Sequence, residues 1–328
     1  MKTRFLSILV AWVFLAVAVV GEAQQPKKVP RIGILHGASA SSVAARTEAF
    51  REGLRELGYV EGKNIVIEWR YAEGKADRLP GLAAELVGLK VDIIVTTGPI
   101  VTRAAKEATS TIPIVMTNEG DPVGTGFVAS LARPGGNITG LSSLAPELGG
   151  KRLELLKEII PQLSRVAVFG TSTLPDNAQR LREVELAAKA FGVKLQYLDV
   201  LGPKDIETTF RAAVKGQADA ILWQVAGGVA NPHRTEILEL AVKSRLPAIY
   251  HNSAYVDAGG LMTYSASATD LDRRAATYVD RILKGAKPAD LPVEQPKKFE
   301  LIINLKAAKQ IGLTIPPNVL VRADKVIK

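Results

Sequence analysis

Apolar runs of strand length alternate with amphipathic runs of helical length along most of this chain. Residues 29–36 are an apolar stretch that stops at Gly37-Ala38-Ser39. Val43, Phe50, Leu54 and Leu57 follow at spacings of seven, four and three, one face of a helix, and Gly58 suits its C-terminal cap. Residues 64–70 alternate Ile65, Ile67 and Trp69 on one side, the pattern of a half-buried strand. A helix is expected around 76–87, a continuous apolar strand at 92–96, a helix opened by Pro99, and strands at 112–116 and 138–141. The alternation then restarts. A helix at 153–160 precedes strands at 165–169, 194–200, 219–225 and 248–251, with helices ending at Phe191 and spanning 205–214 and 232–244. Strands separated by helices of this length imply right-handed crossovers and parallel sheets, so two tandem units imply two α/β lobes.

The end of the chain does not form a third unit. A strand at 261–265 and a helix at 267–283 read as returning to the first lobe. A Pro-rich link (Pro288, Pro292, Pro296), a strand at 299–304 and a short helix then complete the second. The expected organisation is a leader over 1–23, a first lobe over 29–141 plus 255–292, and a second over 142–254 plus 293–328. The fold class is α/β: two Rossmann-like lobes with parallel sheets, joined by a hinge that the chain crosses three times.

The first residues carry their own pattern. Lys2 and Arg4 precede a sixteen-residue run, Phe5 to Val20, in which Ser7 is the only polar residue, and Gly21-Glu22-Ala23 puts small residues at −3 and −1 of a cut before Gln24. That is the form of a cleavable secretory signal peptide, and the run falls below the ~20 residues that span a bilayer comfortably. The rival reading is an uncleaved anchor. No cysteine is present, so a lipobox attachment is excluded.

Composition narrows the chemistry further. At 47% apolar and 23% charged, the chain can bury a sizeable core and is not disordered. The lack of Cys excludes thiol nucleophiles, disulfides, iron–sulfur clusters and Cys-ligated zinc, and three histidines argue against a His-rich metal site. No cofactor is implied. The net charge is +9, or +8 once Lys2, Arg4 and Glu22 are removed with the leader. The excess leans toward an anionic solute; its scatter along helices is that of a solvated surface rather than of a nucleic-acid face.

Motifs for catalysis are missing. No G-x-G-x-x-G follows an expected strand, and G-x-x-x-x-G-K-[ST], G-x-S-x-G and H-E-x-x-H are absent. The glycine-rich run Gly120-Asp121-Pro122-Val123-Gly124-Thr125-Gly126 reads as a tight turn in preference to a phosphate cradle. What remains informative is polarity at strand ends, because open α/β sheets bind ligands beyond the carboxyl ends of their strands. The candidate ligand-binding residues are His36, Ala38, Ser39, Thr97, Gly98, Asn118, Asp121, Thr171, Ser172, Gln224, Asn252 and Ser253. Each alone fits a turn or cap; as clusters from both units they fit a hydrogen-bonding cleft. Tyr250, Tyr255 and Tyr264 are candidates for an aromatic wall, with core packing as the alternative, while Trp69 and Trp223 read as core.

Several longer strings are similar to one family. They include Arg51-Glu52-Gly53-Leu54-Arg55-Glu56-Leu57-Gly58-Tyr59-Val60-Glu61-Gly62-Lys63-Asn64, Asp121-Pro122-Val123-Gly124-Thr125-Gly126, Ser130-Leu131-Ala132-Arg133-Pro134-Gly135-Gly136-Asn137-Ile138-Thr139-Gly140, Lys151-Arg152-Leu153-Glu154-Leu155-Leu156-Lys157 and Leu291-Pro292-Val293-Glu294-Gln295-Pro296. They resemble the ABC transporter substrate-binding proteins that include tryptophan- and tyrosine-type solute receptors, with a periplasmic-binding type I fold. The resemblance implies two hinged lobes, capture of a small polar organic solute (an amino acid or carboxylate-like molecule), delivery to an ABC permease in the inner membrane, no enzyme activity and a periplasmic location. It does not extend to the ligand-facing positions. Two other readings are a secreted α/β hydrolase, for which His36, Asp121 and a nearby Ser are the only available triplet, and a periplasmic sensor feeding a signalling partner. A transcription regulator would need a basic DNA-reading helical unit, and none is found.

Overall fold

Fully buried apolar strands flanked by helices on both faces organise the chain into two sheets. The computed structural model describes residues 29–328 apart from 175, 226–228 and 231; the expected leader lies outside the described residues. The first sheet contains β1 (Arg31–His36), β2 (Val66–Tyr71), β3 (Ile93–Thr96), β4 (Ile114–Glu119) and β5 (Ile138–Ser142) in the order β2-β1-β3-β4-β5. All of its pairings are parallel. β3 reads Ile-Ile-Val-Thr with every residue buried, as a central parallel strand covered on both faces must. β2 lies at the edge, where only Ile67 is buried and the other residues are partly covered.

Helices α1 (Ala44–Glu56), α2 (Leu79–Gly88) and α3 (Pro99–Ala108) provide the crossovers. Pro99 opens α3 at a position where its missing N–H costs nothing. Gly98 before it has φ +79, a left-handed backbone that glycine adopts without strain. One face of the sheet packs Leu35, Ile94 and Met116 against Leu82, Leu86 and Val101. The other packs Ile32, Ile34 and Val115 against Phe50 and Leu54.

The second sheet has the order β12-β11-β10-β9-β8-β6-β7. Its strands are β6 (Arg165–Gly170), β7 (Lys194–Asp199), β8 (Ala220–Trp223), β9 (Ala248–Tyr250), β10 (Met262–Ala266), β11 (Phe299–Asn304) and β12 (Lys325–Ile327). Only β10 and β11 pair antiparallel. Around it run α4 (Leu148–Ile159), α5 (Asn177–Phe191), α6 (Pro203–Lys215), α7 (Arg234–Lys243), α8 (Ser253–Asp257), α10 (Leu305–Gln310) and α11 (Pro317–Leu320). Gly192 ends α5 with φ +66, a left-handed cap that glycine adopts without strain.

The helix α9 (Ala268–Leu283) is the element that crosses back. Its Leu271, Ala275, Ala276 and Val279 are buried with Phe50 and Leu54 of the first lobe. It approaches α1 so closely that a Cβ on Gly53 would stand 2.3 Å from the Arg273 carbonyl oxygen. The chain passes between the lobes after β5, at Ser267, and again between Glu294 and β11, where Glu294 still pairs with Leu141.

The strand at 261–265 departs from expectation. It was expected to enter the first lobe with the helix that follows it, but β10 sits inside the second sheet between β9 and β11. The first lobe thus receives α9 without a strand, and the boundary expected at 255 does not match the sheets. Apolar alternation shows that a segment is a strand and does not show which edge it joins. β12 was not expected at all: three residues in a charged tail carry too short a pattern to register.

Candidate functional site

In the first sheet the strand order reverses direction between β1 and β3, and in open α/β sheets such a reversal leaves a crevice at the carboxyl ends. A cavity of about 260 Å³ occupies it. From the first lobe it is lined by His36, Gly37 and Ala38 after β1, by Thr97, Gly98, Pro99, Ile100 and Val101 after β3, and by Asn118 and Gly120 at the end of β4. From the second it is lined by Arg152 of α4, Leu174, Arg180 of α5, and His251, Asn252 and Ser253 after β9. The crossing after β5 adds Ser143 and Ala145, the end of β10 adds Ser265 and Ala266, and the start of α9 adds Ala268.

Hydrogen bonds fix the polar rim. Thr97 and Thr117 hydroxyls lie 3.2 Å apart, and Thr102 donates to the Gly98 carbonyl at 3.0 Å, holding the turn into α3. Asn252 Oδ1 accepts from the Ala254 N–H at 3.1 Å and caps α8, while its Nδ2 lies 2.7 Å from His251 Nε2. The helix α3 begins at this wall, which adds the partial positive charge of its N-terminus.

Three arginines dominate the electrostatics. Arg46 of α1 donates to both oxygens of Asp272, Nε to Oδ2 at 2.5 Å and Nη2 to Oδ1 at 3.2 Å. Arg180 donates through Nε and Nη2 to Oδ2 of Asp176 at 2.8 and 2.5 Å. Arg152 is different. It is 1% exposed, donates Nε to the Tyr264 carbonyl at 2.8 Å and Nη2 to the His251 carbonyl at 3.4 Å, and forms no ion pair among the described residues. Its Nη1 and that of Arg180 are buried without a hydrogen-bond partner. Burial, then repulsion from Arg180, pulls the Arg152 guanidinium down to about 9, still charged at neutral pH.

The histidines are neutral there. Burial, then the Arg46 charge, lowers His36 to about 4; burial, then Arg152 and Arg180, lowers His251 to about 3. Behind the wall, Glu119 is fully buried with Oε2 unpartnered. Burial, then the neighbouring Asp176, pushes its carboxyl up to about 8. Such an enclosure can hold a small polar molecule through fixed donors from both lobes. It aligns no nucleophile with a base.

The chain matches the sequence model of the family described as ABC transporter substrate binding protein over residues 31–327. The chain belongs to that family. It is therefore a solute-binding protein and not an enzyme, and its fold is that of the type I periplasmic binding proteins. It is similar to the tyrosine-binding protein of Clostridioides difficile (strain R20291), 25% identical over 287 residues that cover 88% of this chain and 82% of that protein. Among solved structures it is similar to a conserved domain protein from Vibrio cholerae O1 biovar El Tor, with a TM-score of 0.84 and 29% identity over 91% of this chain and 100% of that one. A Streptococcus pneumoniae ABC domain in complex with L-Trp gives a TM-score of 0.83 and 27% identity, covering 91% and 99% respectively. No helix among the described residues is long and apolar enough to cross a membrane.

In this substrate-binding protein, seven of the twelve candidate residues line the cavity: His36, Ala38, Thr97, Gly98, Asn118, Asn252 and Ser253. Five do not, and local hydrogen bonds account for four of them. Ser39 bonds Ser42 in the turn before α1. Asp121 Oδ1 accepts the Gly124 N–H at 2.8 Å, so it caps a turn, and the triplet proposed for a hydrolase does not share one wall. Thr171 donates to the Val200 carbonyl at 3.1 Å, and the Ser172 N–H and hydroxyl both donate to Asp199. Gln224 is 2% exposed and lies beneath Gly149, with its Nε2 unpartnered.

The aromatic wall is not formed by the tyrosines. Tyr250 and Tyr255 stack at 4.8 Å inside the second lobe's core, Trp223 donates its indole N–H to Tyr255 Oη at 3.2 Å, and Tyr264 stacks on Phe299. Strand-end reasoning also missed Arg46, Arg152 and Arg180, because all three stand on helices. A signal was there: Arg152 shares a stripe with Leu148, Leu155, Leu156 and Ile159, and Arg180 shares one with Val184 and Ala188. A cation on a buried stripe is out of place unless something meets it.

Proposed function

We propose that this protein is the periplasmic receptor of an ABC importer and captures a small carboxylate-bearing organic solute, an amino acid or an organic acid, between its lobes. The carrying observation is Arg152, a buried guanidinium in the cavity wall with no carboxylate paired to it. A buried charge left alone is costly, and an anion arriving with the solute supplies the missing partner. Arg180 Nη1 and the N-terminus of α3 favour the same sign of ligand. The polar rim from both lobes then replaces the solute's water. Closure of the lobes by the solute reflects its greater affinity for the closed arrangement, and the closed face is what a permease would recognise. The expected leader, which directs secretion, agrees with a periplasmic site of action.

The test is a thermal-shift panel of amino acids and organic acids on natively purified protein. A ligand at a hundred times its Kd should stabilise the folded state by about 2.7 kcal/mol, a rise in Tm that is easily read. A panel in which no small solute raises Tm, together with native mass spectrometry showing no bound small molecule, removes the basis of the reading.

A further inference from the structure

We infer that the solute is a monoanionic organic acid lacking an ammonium group, its uncharged body resting on the cavity's apolar wall; this rests on the receptor reading above and narrows it.

The inference follows from the charges that surround the cavity. Three arginines line it, and no aspartate or glutamate does among the described residues. Asp272 compensates Arg46, and Asp176 compensates Arg180. Arg152 has only two backbone carbonyls. Glu119 does not fill the deficit: one of its oxygens accepts the Gly120 N–H at 3.2 Å, the other is unpartnered, and burial keeps the carboxyl mainly protonated at neutral pH. The two histidines of the wall are neutral. Of the three arginines that line the cavity, Arg152 is thus the one whose charge no side-chain carboxylate meets among the described residues.

A monoanion restores the balance. A zwitterion does not, because its ammonium must also leave water and no lining carboxylate waits to receive it. The N-terminus of α3, which reaches the cavity from the first lobe, opposes a cation as well. Val43, Leu79, Ile100, Val101, Leu148 and Leu174, from both lobes, also line the cavity and offer an aliphatic surface to the rest of the molecule. The ammonium group is what would separate this receptor's solute from the L-Trp held by the pneumococcal structure.

Isothermal titration calorimetry on natively purified protein decides the matter with matched pairs: isocaproate against leucine, hydrocinnamate against phenylalanine, and indolepropionate against tryptophan. Members of a pair share body and carboxylate and differ in the ammonium. For any body that binds, the acid without the amine is expected to bind at least tenfold tighter. Arg152→Met should abolish that binding, while Arg152→Lys should keep the preference at weaker affinity. The pair comparison needs only wild-type protein, so it stands even if a variant fails to fold. An amino acid that binds as tightly as its amine-free partner, or an amino acid found bound by native mass spectrometry, overturns the inference and leaves the receptor reading intact. If no member of any pair binds and no small molecule copurifies, both readings fall.

Discussion

Gly120 of the first lobe and Asp176 of the second meet across the cleft so closely that a Cβ on Gly120 would stand 2.8 Å from Asp176 Oδ2. Arg180 Nη2 would be 3.2 Å away and Ala145 Cβ 3.5 Å. The glycine therefore lets a buried ion pair of one lobe rest against the strand end of the other. Its lack of a side chain is a condition of the lobe arrangement rather than of either lobe's own fold.

Gly120→Val should accordingly hold the lobes apart while leaving each intact. If the closed arrangement falls to a tenth of its former population, apparent solute affinity falls roughly tenfold. Small-angle scattering should show a larger radius of gyration, and the far-UV circular dichroism should not change. An unchanged affinity would mean that Asp176 and Arg180 yield to the new side chain.

Glu119 sets a stability slope above the histidine range. Its folded carboxyl is pushed up to about 8 from an ordinary 4.5. Between those values the folded chain keeps a proton that the unfolded chain has released, so stability falls as pH rises, by up to about 1.4 kcal/mol per unit. Glu119→Gln removes the titration. Urea unfolding from pH 6.5 to 8 should show a downward slope in the wild type that is shallower in the variant.

His36 acts in the opposite sense and at lower pH. Burial lowers it from 6.5 to about 4, so between these values the unfolded chain binds the proton that the folded chain refuses. The His36 contribution therefore falls as pH drops from 6.5 toward 4, by up to about 1.4 kcal/mol per unit; His251 adds to the loss, and Glu119 offsets part of it above pH 4.5. His36→Asn should flatten part of this acid limb. Unfolding midpoints at pH 4.5 and 6.5 measure it.

Gly53 permits the contact that joins α9 to the first lobe. An added methyl would lie 2.3 Å from the Arg273 carbonyl oxygen and 2.9 Å from Ala276 Cβ. Both neighbours belong to a helix, so relief requires moving α9 as a body. Gly53→Ala should destabilise the protein by about 1–3 kcal/mol, the usual range for overpacking, despite alanine's better helix propensity. Equilibrium denaturation reads the sign directly.

Local pattern made much of the fold legible. Continuous apolar segments such as Ile93–Thr96 and the spacing of Ile206, Phe210 and Ala213 in α6 depend only on near neighbours in the chain, and so do Pro99 at the start of α3 and the cap at Gly192. The strand ends that carry His36, Thr97, Asn118 and Asn252 were legible for the same reason, since in a parallel sheet the end of a strand is also its ligand-facing side. Ser172 and Asp121 looked equivalent to them and are not, because Asp199 and Gly124 lie close enough to engage them.

Periodicity and turn chemistry are properties of ten or fifteen consecutive residues, so the two-unit α/β plan and the positions of its strands could be read before any contact was known. Which sheet would take β10, and that α9 alone would return, depended on pairings between residues far apart in the chain. So did the charge of the cleft. Arg46 and Arg180 are offset by Asp272 and Asp176, while Arg152 is left to two carbonyls, and that balance exists only once four helices from both halves of the chain have packed around one cavity.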